Sequence, residues 1–397
     1  MQKKVLKNGL TVIHKKRDSE TVAIQILVKA GPILENDKIG GISHFIEHLL
    51  FETKKRKAQQ LSAEIESLGG VINAFTAEEV TGFYVHIPKK YFKIGLDILS
   101  DVIQNPAFNK DYIETERKAI IEEIKLWNDD PKLHQWELFR KALFDKHPAG
   151  RSAFGTLESM KSITKEDLVN YYNKYYVPNN AIITVVGDVD DVFNEVEKKF
   201  NFAKKSVEII ELPEQGINKK TELIEKKNVD HTYFVLGYKI PTRKEKESYI
   251  FDIIENILGY GISSKLANEI RTKRGLAYQV STDCLTSKNF GYFSVFLSTD
   301  KKNIQEIRKI IINEFNKLQE LTEEEIKNAK RSIEGNFLIR NVDPVQLVTT
   351  INVWEFIKDS SLFDSYINEI NKVTLNDVKK VAKQYLNQKY TITMIEQ

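Results

Sequence analysis

Cys284 is the only cysteine among 397 residues. An intrachain disulfide and a thiolate zinc cluster are therefore excluded, and a reducing compartment is the natural setting. Charge of one sign is also missing: 59 Lys and Arg against 56 Asp and Glu leave a formal +3. No basic block is long enough to give the electrostatic footprint of a nucleic-acid-binding protein. No apolar run approaches the ~20 residues that cross a bilayer. The opening Met1-Gln2-Lys3-Lys4-Val5-Leu6-Lys7-Asn8-Gly9 is basic but leads into no apolar core, so no signal peptide is read and a cytoplasmic location is expected. What remains is ordinary for a soluble globular chain, 41% hydrophobic and 29% charged. Its length exceeds what one core usually serves, so two domains are expected.

Histidine is scarce too, at 7 residues, which makes one grouping informative. His44-Phe45-Ile46-Glu47-His48 sets two imidazoles four positions apart, one turn above each other on a helix face, within reach of a single metal ion. Glu47 beside them is placed to handle the proton of a metal-activated water. The order H-x-x-E-H reverses the H-E-x-x-H of zinc peptidases. Chance produces it in roughly one chain in a hundred of this composition. The plain alternative is a pair of solvated or core histidines on an amphipathic helix.

The two halves of the chain repeat one plan. Thr164 to Tyr175 reads as a capped amphipathic helix leading into the strand Ala181 to Val186, and Thr374 to Tyr385 leads likewise into Tyr390 to Ile395. The offset is constant, since 374 − 164, 377 − 167 and 385 − 175 each give 210. Near the starts of the halves, Val22 to Val28 and Thr232 to Tyr238 are both β-rich. A constant offset argues for internal duplication. Helices are expected over Tyr91 to Gln104, Lys110 to Asn128, Tyr249 to Leu258 and Lys302 to Leu318. Strands are expected over Leu10 to His14, Val22 to Val28, Val71 to Thr76 and Gly82 to His86. Because hairpin neighbours interrupt any β-α alternation, the fold class is α+β, with helices packed on a largely antiparallel sheet in each half. The expected domains are 1–205 and 222–397, joined by a polar linker at 206–221 that contains Pro213 and Gly216.

A catalytic zinc site needs a third protein ligand. His14, His86, His134, His147 and His231 are scattered singly and read as ordinary histidines. The helix from Tyr112 to Trp127 is the best source of a carboxylate, with Glu116 and Glu123 seven residues apart on one face. Periodicity alone does not choose among Glu114, Glu116, Glu122 and Glu123.

Together these stretches resemble the pitrilysin family, which includes insulin-degrading enzyme and mitochondrial processing peptidase. Its members carry H-x-x-E-H and, about seventy residues later, E-(six residues)-E, whose second Glu completes a zinc site. Here 123 − 48 gives 75. Asn8-Gly9-Leu10, Gly40-Gly41, Asn73-Ala74-Phe75-Thr76, His147-Pro148 with Gly150-Arg151, and Gly187-Asp188 agree as well, although many relatives have a Tyr within the His147 segment. The resemblance implies one zinc per chain held by His44, His48 and Glu123, with Glu47 as general base and Glu116 orienting a ligand. It implies that Arg271 and Tyr278, in the segment Arg271-Thr-Lys-Arg-Gly275-Leu-Ala-Tyr278, donate to the developing oxyanion. It also implies that Asn73, Ala74 and Phe75 lie on an exposed strand to which an extended substrate adds. Relatives enclose peptides or unfolded segments between two bowl-shaped halves, each of two domains. This chain would supply one half of that clam-shell and close it as a homodimer, or as a heterodimer with a related chain. A non-catalytic structural or partner subunit is the rival expectation.

Overall fold

The computed structural model describes residues 1–205, 207, 212–386 and 389–397. Strands β1 (Gln2–Val5), β2 (Thr11–Lys15), β3 (Thr21–Val28), β4 (Val71–Thr76), β5 (Thr81–Pro88) and β6 (Ala181–Val186) form one sheet in the order β1-β2-β6-β3-β5-β4. Only β2 and β6 run parallel. A second sheet contains β7 (Thr221–Lys226), β8 (Thr232–Lys239), β9 (Val280–Thr286), β10 (Gly291–Thr299) and β11 (Thr391–Glu396), in the order β7-β11-β8-β10-β9. There β7 and β11 are the parallel pair. Each sheet is packed with helices, so the chain has an α+β fold of two domains.

The duplication extends to single hydrogen bonds. Thr164 Oγ1 accepts from the Asp167 N–H at 3.1 Å, while the Asp167 carboxylate accepts from the Thr164 N–H at 2.9 Å. Thr374 and Asp377 repeat the pair at 3.2 and 2.9 Å. These reciprocal caps start the Lys165–Tyr175 and Leu375–Tyr385 helices, which lead toward β6 and β11.

The continuous apolar run of β3 follows from cover on both faces. Ile24 points toward the Phe92–Gln104 helix, where Gly95 leaves room for it. Gln25, on the opposite face, meets the Pro344–Ile357 helix: its Nε2 donates to Thr349 Oγ1 at 2.8 Å, and Asn352 Nδ2 donates to its Oε1 at 2.8 Å. Thr184 of β6 donates to Asn352 Oδ1 at 2.5 Å. In the second sheet Gln135, on the Pro131–Phe144 helix, donates to both Thr393 O and Thr393 Oγ1 at 2.8 Å.

These two helices cross the expected boundary. The compact units are Met1–Lys125 with Arg151–Glu211 and Ile339–Phe363, and Leu126–Gly150 with Leu212–Leu338 and Asp364–Gln397. A division at 205 and 222 therefore misses one exchanged helix in each direction, because each sheet covers a face with a helix from the other half of the chain. Within the expected linker 206–221, residues 206 and 208–211 lie outside the described residues. Residues 212–220 carry no regular structure, and Thr221 opens β7. Among the described residues, no helix is long and apolar enough to cross a membrane.

Candidate metal centre

The Ile42–Leu49 helix buries Ile42, Phe45, Ile46 and Leu49 in the core of the first unit, which leaves His44, Glu47 and His48 on its other side. Its entry is tightly constrained. Gly41 has φ +86°, and a Cβ there would come within 2.4 Å of Phe154 O, so only glycine fits without strain. Having no side chain, Gly41 cannot cap the helix. The buried carboxylate of Glu35 does so instead, with Oε2 accepting from Gly41 N–H at 2.7 Å and Oε1 from Ser43 N–H at 2.9 Å.

The carboxylates come from the Lys110–Asp129 helix, anchored in the same unit by Ile113, Ile120 and Ile124. Glu116 Oε2 lies 3.0 Å from His48 Nδ1. Glu123 Oε2 lies 3.8 Å from both His44 Nε2 and His48 Nε2, and the two Nε2 atoms are 3.2 Å apart. Of the four glutamates that periodicity left open, Glu123 is the one grouped with both histidines. Glu114 turns to Arg117 and Glu122 to Lys125, both on the exposed side.

This triangle fits a tetrahedral dication. With bonds of about 2.05 Å, neighbouring ligand atoms of a zinc site are about 3.3 Å apart. A hydrogen bond from His48 Nδ1–H to Glu116 leaves the His48 Nε2 lone pair facing the centre. Two imidazole edges and a carboxylate oxygen then converge as a donor set that a dication could take. His44 Nδ1 is buried, with no hydrogen-bond partner among the described residues. The ring of His44 is instead flanked by Phe154, edge-on at 4.8 Å.

Burial drives the His44 pKa down to about 3, assisted by the neighbouring His48, so this imidazole is neutral in the absence of metal. Burial also opposes charge on His48, but the Glu116 hydrogen bond and the nearby carboxylates outweigh it and raise its pKa. Burial raises the Glu47 pKa, against a 2.6 Å hydrogen bond from Thr76 Oγ1 and the charge of His48. Glu47 is thus more basic than an ordinary carboxylate, as suits proton transfer near neutrality.

Thr76 ends β4, one of the two edge strands of the first sheet. Ala77 and Val80 exchange backbone hydrogen bonds at 2.9 and 3.4 Å where β4 turns into β5. The alternation of an antiparallel ladder then turns the backbone groups of Ile72, Ala74 and Thr76 outward. Asn73 is exposed, and its own Oδ1 accepts from the Ala74 N–H at 2.8 Å; Phe75 is half-buried. Arg271 and Tyr278 lie in the second unit. There the Arg271 guanidinium stacks over the Tyr278 ring at 5.1 Å, and Tyr278 is 85% exposed. The remaining histidines have local companions: Gly187 O for His14, Thr21 for His86, Glu225 for His134, Pro213 O for His147 and Asp300 for His231. Sequence reasoning missed Glu35, Thr76 and Phe154 as parts of the site. Thr76 stood beside assigned residues, whereas Glu35 and Phe154 carry no local signal.

Residues 10–157 match the family model described as insulinase (peptidase family M16), and residues 162–333 match that described as peptidase M16 inactive domain. An uncharacterised zinc protease of Rickettsia felis is 31% identical, over 94% of this chain and 90% of its own length. The chain belongs to peptidase family M16. An uncharacterised zinc protease of Bacillus subtilis is 28% identical over 98% of this chain and 96% of its own. Among solved structures, a protease from Helicobacter pylori superposes with a TM-score of 0.91 at 23% identity, covering 100% of this chain and 99% of that one. A putative M16-like peptidase from Alicyclobacillus acidocaldarius gives 0.87 at 20% identity, covering 100% and 98%. Both likenesses establish the fold. The insulinase match spans His44, Glu47, His48, Glu116 and Glu123, and the zinc-protease names of the relatives support zinc as the metal for this centre.

Proposed function

We propose that this chain is a zinc-dependent endopeptidase that hydrolyses peptides or unfolded protein segments. The observation that carries this reading is the convergence of single ligand atoms from His44, His48 and Glu123 within 4.8 Å of one another. Glu47 stands beside them on the same helix. The three ligands would hold one zinc per chain. When bound, zinc polarises a water molecule and lowers its pKa from about 16 toward about 7.

The residues of the chain supply the rest. Glu116 fixes the tautomer of His48 and keeps its Nε2 free to bind metal. Glu47, held by Thr76, accepts the proton of the activated water and passes it to the departing amine. An extended substrate adds to β4 through the outward backbone groups of Ile72, Ala74 and Thr76, and Asn73 releases the Ala74 N–H to admit it. Such main-chain pairing is largely indifferent to side-chain identity, which suits a peptidase of unfolded segments. Arg271 and Tyr278 place a cation and a phenol where the oxyanion develops. Following the family resemblance, they come from a second copy of the chain or from a related partner.

The decisive test is Glu47→Gln. Cleavage of an unfolded peptide should fall by roughly 10²- to 10⁴-fold, while zinc content stays at the wild-type level because Glu47 is not a ligand. A variant that still cleaves at the wild-type rate would remove Glu47 as the base.

A further inference from the structure

Glu35 is a buried carboxylate that the proposed chemistry does not use: 3% exposed, nine residues before His44 and outside the H-x-x-E-H motif. We infer that Glu35 is a positioning residue for the metal ligands, clamping the rotation of the Ile42–Leu49 helix through its two backbone hydrogen bonds. The inference rests on the zinc reading of the centre.

The helix needs an external clamp. It has only eight residues, short of the length at which a helix holds itself, and it starts at a glycine that offers no side-chain cap. Both oxygens of Glu35 are engaged, one on Gly41 N–H and one on Ser43 N–H. Two bonds to two donors of one turn, on either side of Ile42, fix orientation as well as position, which a single bond would not. The Ser43 hydroxyl adds a further tie to Tyr171 Oη at 2.9 Å.

Rotation is the motion that matters here. Side-chain tips stand about 5–6 Å from a helix axis, so a turn of about 10° carries an imidazole nitrogen about 1 Å. Metal–ligand distances tolerate only about 0.2 Å. His48 has independent support from Glu116, but His44 has no hydrogen-bonded second partner among the described residues. The placement of His44 therefore depends on its helix and on Phe154, whose carbonyl also fills the space where a side chain at Gly41 would stand. Glu35 sits at the point where that dependence is anchored.

The test compares wild type, Glu35→Gln and Ile98→Val, the last a buried residue of the Phe92–Gln104 helix. Gln keeps the shape of Glu but turns an amide NH₂ toward one of the two N–H donors. Glu35→Asp is a second variant, which keeps the charge and is one methylene too short to span both donors. Zinc release to a chelator and the visible spectrum of the cobalt-substituted protein are recorded well below the melting temperature of each. Both Glu35 variants should release zinc roughly tenfold faster and shift the cobalt bands. Ile98→Val should lose thermal stability and leave both readouts unchanged. Glu35 variants that melt lower but keep the wild-type release rate and spectrum would reduce Glu35 to a fold-stabilising residue and overturn the inference. Wild-type protein that binds no zinc would overturn the zinc reading itself, and the role of Glu35 with it.

Discussion

Thr76 Oγ1 donates to the Glu47 carboxylate at 2.6 Å, tying the proposed base to the last residue of the proposed substrate strand. One hydroxyl thus links the element that would receive a peptide to the group that would cut it.

That bond sets a pH dependence. Activity needs ionised Glu47, so it is lost as pH falls through the pKa of Glu47, which burial has raised above its ordinary 4.5. Thr76→Val removes a hydrogen bond that favours the carboxylate, so the pKa should rise further and the acid limb of kcat/KM should move to higher pH. Profiles of the two proteins over the same buffers decide it. An acid limb that stays in place would mean that Thr76 does not touch the working base.

Single substitutions should separate three carboxylates of the acidic helix. Glu123→Gln should lose most of its zinc after dialysis, whereas Glu122→Gln, whose partner is Lys125, should retain it. Glu116→Gln should fall between them, with metal affinity down by about 10- to 100-fold through a loosened His48. Metal analysis of the three dialysed proteins is the measurement, and equal zinc in all of them would place the third ligand elsewhere.

Sharing of the site between two copies is tested by complementation. Glu47→Gln and Arg271→Ala chains, each inactive alone, are mixed under conditions that allow subunit exchange. About half of the dimers become mixed and each of those holds one whole site of two, so recovery should approach roughly a quarter of wild-type activity. If Arg271 serves its own chain, every site keeps one defect and nothing returns.

Stability should hinge on the exchanged helix. Asn352→Ala strands Gln25 Oε1 and the Thr184 hydroxyl in a dry interior, because all three side chains are fully buried. The expected cost is about 1–3 kcal/mol, read as a lower unfolding midpoint in urea. Zinc content of the folded protein should be unchanged.

Much of this was legible in the sequence because it is local or periodic. The paired histidines, the 210-residue offset and the Thr–Asp caps all depend on spacing along the chain, and the structure returns them as a converging triangle, two matching sheets and two reciprocal caps. Helix periodicity narrowed the carboxylates to a few candidates but could not choose. The choice depends on which way a separate helix faces, and that is set by Ile113, Ile120 and Ile124 reaching the core. Glu35 acts across a turn with no repeating pattern, so its role stayed hidden. The exchanged helices left a faint mark: each begins Asp-Pro, at Asp130-Pro131 and Asp343-Pro344, with the Asp capping the first turn. Nothing in those dipeptides says which sheet the helix will cover.

The exchange has a consequence for the order in which the protein is made. Thr184 and Asn352 are bonded across 168 residues of chain, so β6 leaves the ribosome well before the helix that covers it. At about 5–20 residues per second, that delay is about 8–34 s. Throughout it, Gln25 and Thr184 lack their partner and one face of the first sheet is bare, even though every proposed zinc ligand has already been synthesised. The half of this chain that carries the candidate metal centre is finished by its C-terminal half, and a nascent chain interrupted before residue 344 would carry all the proposed ligands on a sheet that cannot close its core.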